Sequence, residues 1–180
     1  MADQNASPSS PDDSLEERLH SLVLIEGENS VARRARSLLA GGYEGEDFLR
    51  VVGGPHAEGI LAGAPALYWP ELWGARALLY VWDDAAAPAV LAGLANQSWR
   101  VREMAARVCA TRSIGIPSDF ARLTTDEYAR VRSAAARAIA AVGDEASIEV
   151  LERLLRDRDK EVRRAAQQSL DALRARLHEA

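Results

Sequence analysis

Three stretches of the chain share one pattern, WRVREMAARVC at 99–109, ARVRSAAARAI at 129–139 and KEVRRAAQQSL at 160–170. Each has Val-Arg, then Ala three residues after the Arg, then an apolar residue four further on. This apolar spacing of i, i+4, i+8 is typical of one face of an amphipathic helix. The stretches recur at steps of 30 and 31 residues. Such recurrence predicts stacked helix pairs, because a single pair cannot bury both of its apolar faces.

A second helix is expected before each of these stretches, at about 86–95, 118–123 and 146–156. Asn96, Asp126 and Asp157 are turn-type residues, and each lies six residues before the Arg of its copy. No segment shows the strict alternation that is typical of a β-strand. We therefore predict an all-α fold, a right-handed α-solenoid of stacked antiparallel helix pairs, with three regular repeats in residues 85–180.

The chain before residue 85 is less regular. Residues 1–13 are rich in Ser, Pro, Asp and Asn without an apolar period, which predicts a disordered tail. Residues 14–84 are expected to form a divergent helical part. Ser14 and Glu17 have the spacing of a capping box and predict the first helix. Further helices are expected at about 30–40, 45–52 and 71–82, with one short helix in the Gly-rich segment 56–66.

The pattern resembles the HEAT repeat family of the armadillo-type fold, in particular the short variety named after phycobilisome lyases. Upstream the resemblance is weaker, since Gly74 takes the place of the Arg. The resemblance implies that Asp126 and Asp157 accept hydrogen bonds from Arg side chains of their own or adjacent repeats. It therefore implies that three arginines belong to the frame of the repeats. These are Arg102, Arg132 and Arg163.

The face of each second helix opposite the apolar stripe is expected to point outward. It carries Arg100, Glu103 and Arg107, then Arg130, Ser133 and Arg137, then Glu161, Arg164 and Gln168. The resemblance implies that second helices line the concave side, where partners dock. Five Arg against two Glu predict a groove for an acidic protein segment or a phosphate backbone. A solvated helix face would have the same composition.

Trp99 lies one residue before Arg100 and has two interpretations. In the first, its ring contacts a protein partner or stacks on a nucleic-acid base. In the second, its ring packs between two adjacent repeats. The candidate partner surface is therefore Trp99, Arg100, Glu103, Arg107, Arg130, Arg137 and Arg164.

The segment 67–82 holds three of the four Trp residues. We expect it to form an aromatic core where two differently built halves pack. A pocket wall and a homodimer contact are the alternatives that the sequence leaves open, and the oligomeric state stays undetermined.

Charge and the reactive residue types restrict the function classes. The net charge is −5, with −6 in residues 1–58 and +3 in residues 98–180. Cys109 is the only cysteine, which excludes an intrachain disulfide. The three histidines have no ligand spacing with one another or with Cys109, so we expect no metal, no cofactor and no catalytic residue. No membrane span or export leader is expected, and a cytoplasmic location is the default.

The leading hypothesis is a non-catalytic HEAT-repeat scaffold that binds an acidic or helical segment of a protein partner. The alternative is a nucleic-acid-binding protein or a relative of the HEAT-like alkylpurine DNA glycosylases. Those enzymes use Trp, Asp and Arg on a basic concave surface, and Trp99 with Glu103 is similar to that set, although the acid is Glu. Bilin lyase activity does not follow from the repeat, which many proteins without that chemistry share.

Overall fold

The computed structural model describes residues 13–179, and within this range every regular element is a helix. The prediction of an all-α fold is confirmed. The tail expected at 1–13 lies outside the described residues except for Asp13. The chain divides into two compact units, the first ending at Ala89 and the second beginning at Val90.

The first unit contains α1 (Leu15–Glu26), α2 (Glu28–Leu39), α3 (Glu46–Gly53), α4 (Ala57–Leu61) and α5 (Trp69–Ala77). Short 3-10 turns occupy Gly54–His56 and Asp84–Ala86, and α6 (Ala87–Gly93) spans the boundary between the units.

The predicted capping box starts α1. The Ser14 hydroxyl accepts a hydrogen bond from the Glu17 N–H at 3.3 Å, and the Glu17 carboxylate accepts one from the Ser14 N–H at 2.8 Å. These bonds satisfy donors that the first turn of a helix leaves without intrahelical partners. Hydrogen bonding of the Glu17 carboxylate to the Ser14 side chain, and next to the Ser14 N–H, lowers the pKa of Glu17.

The predicted C-terminal boundary of the helix at 71–82 is wrong, because α5 ends at Ala77. Beyond it, the Tyr80 N–H donates to the carbonyl of Ala77, three residues back, in a turn tighter than an α-helix. The Trp82 N–H then donates to Glu28 Oε1 at 3.1 Å. This bond across to the start of α2 replaces the helical pattern.

Close packing of α2 on α5 forms the core of the first unit. Val31, Ala35 and Leu38 of α2 are fully buried. A Cβ at Gly74 of α5 would lie 2.6 Å from the carbonyl oxygen of Ala35. The two backbones therefore approach each other at a point where no side chain fits. This explains why a Gly occupies the position that has Arg in the regular repeats.

The second unit contains α7 (Trp99–Arg112), α8 (Pro117–Phe120), α9 (Ala129–Val142), α10 (Glu145–Leu154) and α11 (Lys160–Glu179). A 3-10 turn over Ala121–Thr125 extends α8. The three long helices α7, α9 and α11 are the predicted second helices, and α9 packs against both others. The nine residues of the predicted apolar stripe are all buried. They are Val101, Ala105, Cys109, Val131, Ala135, Ile139, Val162, Ala166 and Leu170.

The expectation that Ser133 points outward is wrong. Ser133 is buried at 7% exposure, like Ala134 and Ala136 beside it. The cause is that α9 has a long helix on each side, so its neighbours cover most of its circumference. Only a narrow strip of α9 is left at the surface, and small side chains fill the contacts on both flanks.

Candidate interaction surface

Equivalent ion pairs between an arginine and an aspartate connect consecutive repeats, and we call this series the arginine ladder. Arg102 donates from Nε to Asp126 Oδ2 at 2.8 Å and from Nη2 to Oδ1 at 3.2 Å. One repeat later, Arg132 donates to Asp157 in the same way, at 2.7 Å and 2.8 Å. Each pair is a bidentate, charge-assisted contact between a second helix and the turn of the next repeat. The ladder that the resemblance implied is confirmed.

The remaining guanidinium nitrogen of each of these arginines, Nη1, donates to backbone carbonyls in the turn of its own repeat. Nη1 of Arg102 donates to the carbonyls of Asn96 and Gln97, at 2.9 Å and 3.0 Å. Nη1 of Arg132 and of Arg163 repeat this contact one and two copies later. Within residues 13–179, however, Arg163 meets no carboxylate, and it is exposed. Asn96, at the Asp position of the first copy, accepts a hydrogen bond from the Ser98 N–H, as Asp126 does from the Tyr128 N–H and Asp157 from the Asp159 N–H.

The Arg132–Asp157 pair is nearly removed from water, with side-chain exposures of 6% and 9%. The hydrogen bond from Arg132 lowers the pKa of Asp157, against the opposing effect of burial. The same hydrogen bond raises the pKa of Arg132. Both groups are therefore charged at neutral pH, and they are already paired with each other. This ion pair belongs to the frame of the repeats and not to a partner surface.

Two arginines of the predicted surface are exposed and form no hydrogen bond or ion pair with the described part of the chain. Arg107 on α7 and Arg137 on α9 occupy the same position in consecutive repeats. The helices that carry them are packed against each other, and the axes of packed helices are usually about 8–10 Å apart. Gln168 takes the corresponding position on α11.

Other charges of the predicted surface are paired within the repeats. Arg130 Nη2 lies 3.2 Å from Glu103 Oε1, which connects α9 to α7. The Glu103 side chain is 12% exposed, so the expectation that it points outward is wrong, because it turns into the groove between the helices. Arg164 lies 3.1 Å from Glu161 on the same helix, and this pair is exposed.

An aromatic cluster covers the seam between the first two repeats. The rings of Trp99 and Tyr128 stack with centroids 5.0 Å apart and planes inclined by 18°. The guanidinium carbon of Arg100 lies 4.5 Å from the Trp99 ring, and that of Arg130 lies 5.8 Å away. Trp99 is therefore engaged with the next repeat and with two cations. Tyr128 was not among the predicted residues, and its only signal in the sequence is its place two residues before Arg130.

The Trp-rich segment belongs to the first unit. Trp73 is 5% exposed and packs on Gly53, where a Cβ would come within 2.6 Å of its ring. Trp69 is 37% exposed, with its ring centroid 6.0 Å from that of Trp73. Trp73 is thus a core side chain, whereas Trp69 lies at the surface.

Among residues 13–179 no cluster of three or more His, Cys, Asp or Glu side chains has the geometry to hold a metal ion. In the same range no helix combines the length and the apolar character that a membrane crossing requires.

The family model for HEAT repeats matches residues 87–171, a range that contains all three of the repeated stretches. The match does not distinguish the phycobilisome-lyase variety from other HEAT repeats. The crystal structure of an engineered protein is similar at 20% sequence identity, over 92% of this chain and 86% of that one, with a TM-score of 0.49. No curated protein sequence matches the chain.

Proposed function

We propose that the HEAT repeats of this chain form a non-catalytic scaffold that binds an acidic segment of a protein partner through the Arg face. We define the Arg face as Arg100, Arg107, Arg130, Arg137 and Arg164. A repeat scaffold for interactions is what HEAT repeats suggest in general. The partner and the face are the specific parts of this proposal.

The observation that carries the proposal is the unpaired state of Arg107 and Arg137 within the described residues. Their side chains are exposed in the same position of consecutive helices, while the frame arginines of the same helices are paired with Asp. Two like charges on neighbouring helices repel each other unless a counterion or partner compensates them. Two carboxylates of an acidic segment would form charge-assisted hydrogen bonds with the two forks.

The contacts that the Trp99 ring already makes within the chain favour a protein partner over a nucleic acid. Recognition of an unpaired base relies on an aromatic face that is free for stacking. Tyr128 stacks on Trp99, and the guanidinium of Arg100 lies over the same ring. A base would have to displace one of these groups. The negative net charge of −5 also opposes nonspecific phosphate binding.

The test compares three forms of the full chain as bait in a native lysate. They are the wild type, Arg107→Glu/Arg137→Glu, and the charge-matched control Arg122→Glu/Arg156→Glu. Arg122 and Arg156 are exposed and lie outside the second helices, in the 3-10 turn after α8 and in the turn after α10. We expect that the wild type and the control both capture one partner protein and that the Arg-face variant does not. Nuclease treatment should not release this protein.

Binding through phosphates would give a different result. Capture would then depend on nuclease and would fall steeply between low and moderate salt. A partner retained equally by all three baits would contradict the Arg face. As a folding check, Arg137→Glu should keep the free energy of unfolding within about 0.5 kcal/mol of the wild type, since it removes no internal contact.

A further inference from the structure

The first unit contains an open cleft of about 470 Å³ between the α2–α3 turn, α3, α4 and the start of α5. Clefts that bind small molecules typically have volumes of about 300–1,000 Å³ and mostly apolar walls. The walls here are mainly apolar side chains from these four segments and from the loop between α4 and α5: Tyr43, Leu49, Ile60, Leu61, Leu67 and Pro70.

Large apolar side chains at the rim of the cleft are exposed to solvent. Tyr43 is 68% exposed and Leu67 is 72% exposed. Leu67 also has a φ of 50°, in the left-handed region that L-residues other than Asn and Asp rarely adopt. The fold thus holds an exposed leucine in a strained conformation at the mouth of a cleft. Such conformations concentrate at ligand-binding sites.

Among the described residues, Glu71 is the one charged residue that lines the cleft. Within residues 13–179 its carboxylate has no hydrogen-bond or ion-pair partner, unlike Glu46 and Glu58 of the same unit, which both pair with Arg50. Residues 13–89 carry 12 acidic and 6 basic side chains, a net charge of −6. The cleft therefore combines apolar walls, a single unpaired carboxylate and a negative surrounding.

We propose that this cleft binds a small organic cation, a primary ammonium on an apolar or aromatic body, with the ammonium on Glu71 and the body against Tyr43 and Leu67. The ammonium supplies the charge-assisted hydrogen bond that Glu71 lacks. The apolar body removes the exposed rim from water. This site is independent of the Arg face, which lies in the second unit.

Calorimetric titration of the full chain with phenethylamine tests the proposal, with 2-phenylethanol as a probe of similar shape that lacks the charge. We expect saturable binding of the amine, weaker binding of the alcohol, and at least about tenfold loss of amine affinity in Glu71→Gln. Tyr43→Ala should weaken both probes. Glu16→Gln removes an exposed carboxylate outside the cleft and should change neither affinity.

Several outcomes would overturn the proposal. They include absence of amine binding to the wild type, equal affinity for the two probes, and unchanged amine affinity in Glu71→Gln. A solution mass of two chains that falls to one in Tyr43→Ala would also overturn it, because a second copy would then cover the cleft. Circular dichroism of each variant confirms that the helices are retained.

Discussion

Arg132 holds Asp157 of the next repeat by two parallel hydrogen bonds, Nε to Oδ2 at 2.7 Å and Nη2 to Oδ1 at 2.8 Å. The same guanidinium binds two carbonyls of its own repeat through Nη1. One side chain thus connects the turn that precedes its helix with the turn of the following repeat. The pair is nearly excluded from water, so neither partner can be removed without leaving a buried charge.

Arg132→Ala should therefore lower the free energy of unfolding by about 3–5 kcal/mol, because Asp157 would stay buried without its partner. The control is Arg163→Ala, which removes the same contacts to carbonyls but no carboxylate pair, and it should cost at most about 1 kcal/mol. Urea unfolding of both variants measures the difference. Equal losses would mean that the carbonyl contacts, not the pair, stabilise the stack.

The same pair predicts how stability depends on pH. The pKa of Asp157 is lower in the folded chain, chiefly because of the hydrogen bond from Arg132. Its contribution is therefore present above the unfolded value of about 3.9 and is lost as the pH falls through the folded value. Asp157→Asn should be less stable than the wild type at pH 7. The gap between them should narrow as the pH falls below about 4.

Urea unfolding of the wild type and Asp157→Asn between pH 7 and pH 2.5 checks this expectation. A gap that stays constant over this range would show that the Asp157 carboxylate titrates equally in both states. Asp144 serves as a comparison, because its pKa is lowered by a local hydrogen bond from Ser147 and not by an ion pair.

Gly74→Ala should destabilise the first unit although Ala favours helix more than Gly does. A Cβ at this position would lie 2.6 Å from the Ala35 carbonyl oxygen and 2.7 Å from the Leu39 nitrogen, and backbone atoms cannot move aside cheaply. We expect a loss of about 1–3 kcal/mol from overpacking. Gly59→Ala is the matched control, since nothing lies within 4 Å of a Cβ there, and it should gain about 0.5 kcal/mol. Thermal melting of both variants distinguishes the two effects.

Cys109 should resist thiol reagents in the native state. It is fully buried, and burial raises the pKa of its thiol to about 12. The reactive thiolate is therefore scarce at pH 8 as well as inaccessible. Reaction with a disulfide reagent should be slow for the folded chain and become fast in denaturant. Rapid native labelling would show that α7 opens readily.

Much of the second unit was predictable because its determinants are local or repeat in register. The apolar stripe through Ala135 follows from the 3.6-residue period of a helix. The resemblance to HEAT repeats implied that Asp157 accepts hydrogen bonds from an Arg, which agrees with the need of a partly buried guanidinium for a carboxylate. It left open whether that Arg comes from the same or from an adjacent repeat. The capping box at Ser14 involves residues three apart, so neighbouring sequence alone determines it.

Tertiary contacts decided the features that sequence alone did not reveal. Ser133 is buried because helices pack on both sides of α9, and Glu103 turns inward because Arg130 comes from the next repeat. Beyond the end of α5, the Trp82 N–H donates to Glu28, which is 54 residues away in sequence.

The sequence by itself determined the helices and their repeat, since these depend on side-chain spacing within one or two repeats. The arginine ladder was implied by the resemblance to HEAT repeats, and the structure decided that each Asp pairs with the Arg of the preceding repeat. The tertiary structure alone decided that Arg107, Arg137 and Glu71 stay unpaired among residues 13–179, and where an open cleft is left. The reason is that pairing and exposure depend on atoms brought together from distant parts of the chain, and no periodicity in the sequence encodes those neighbours.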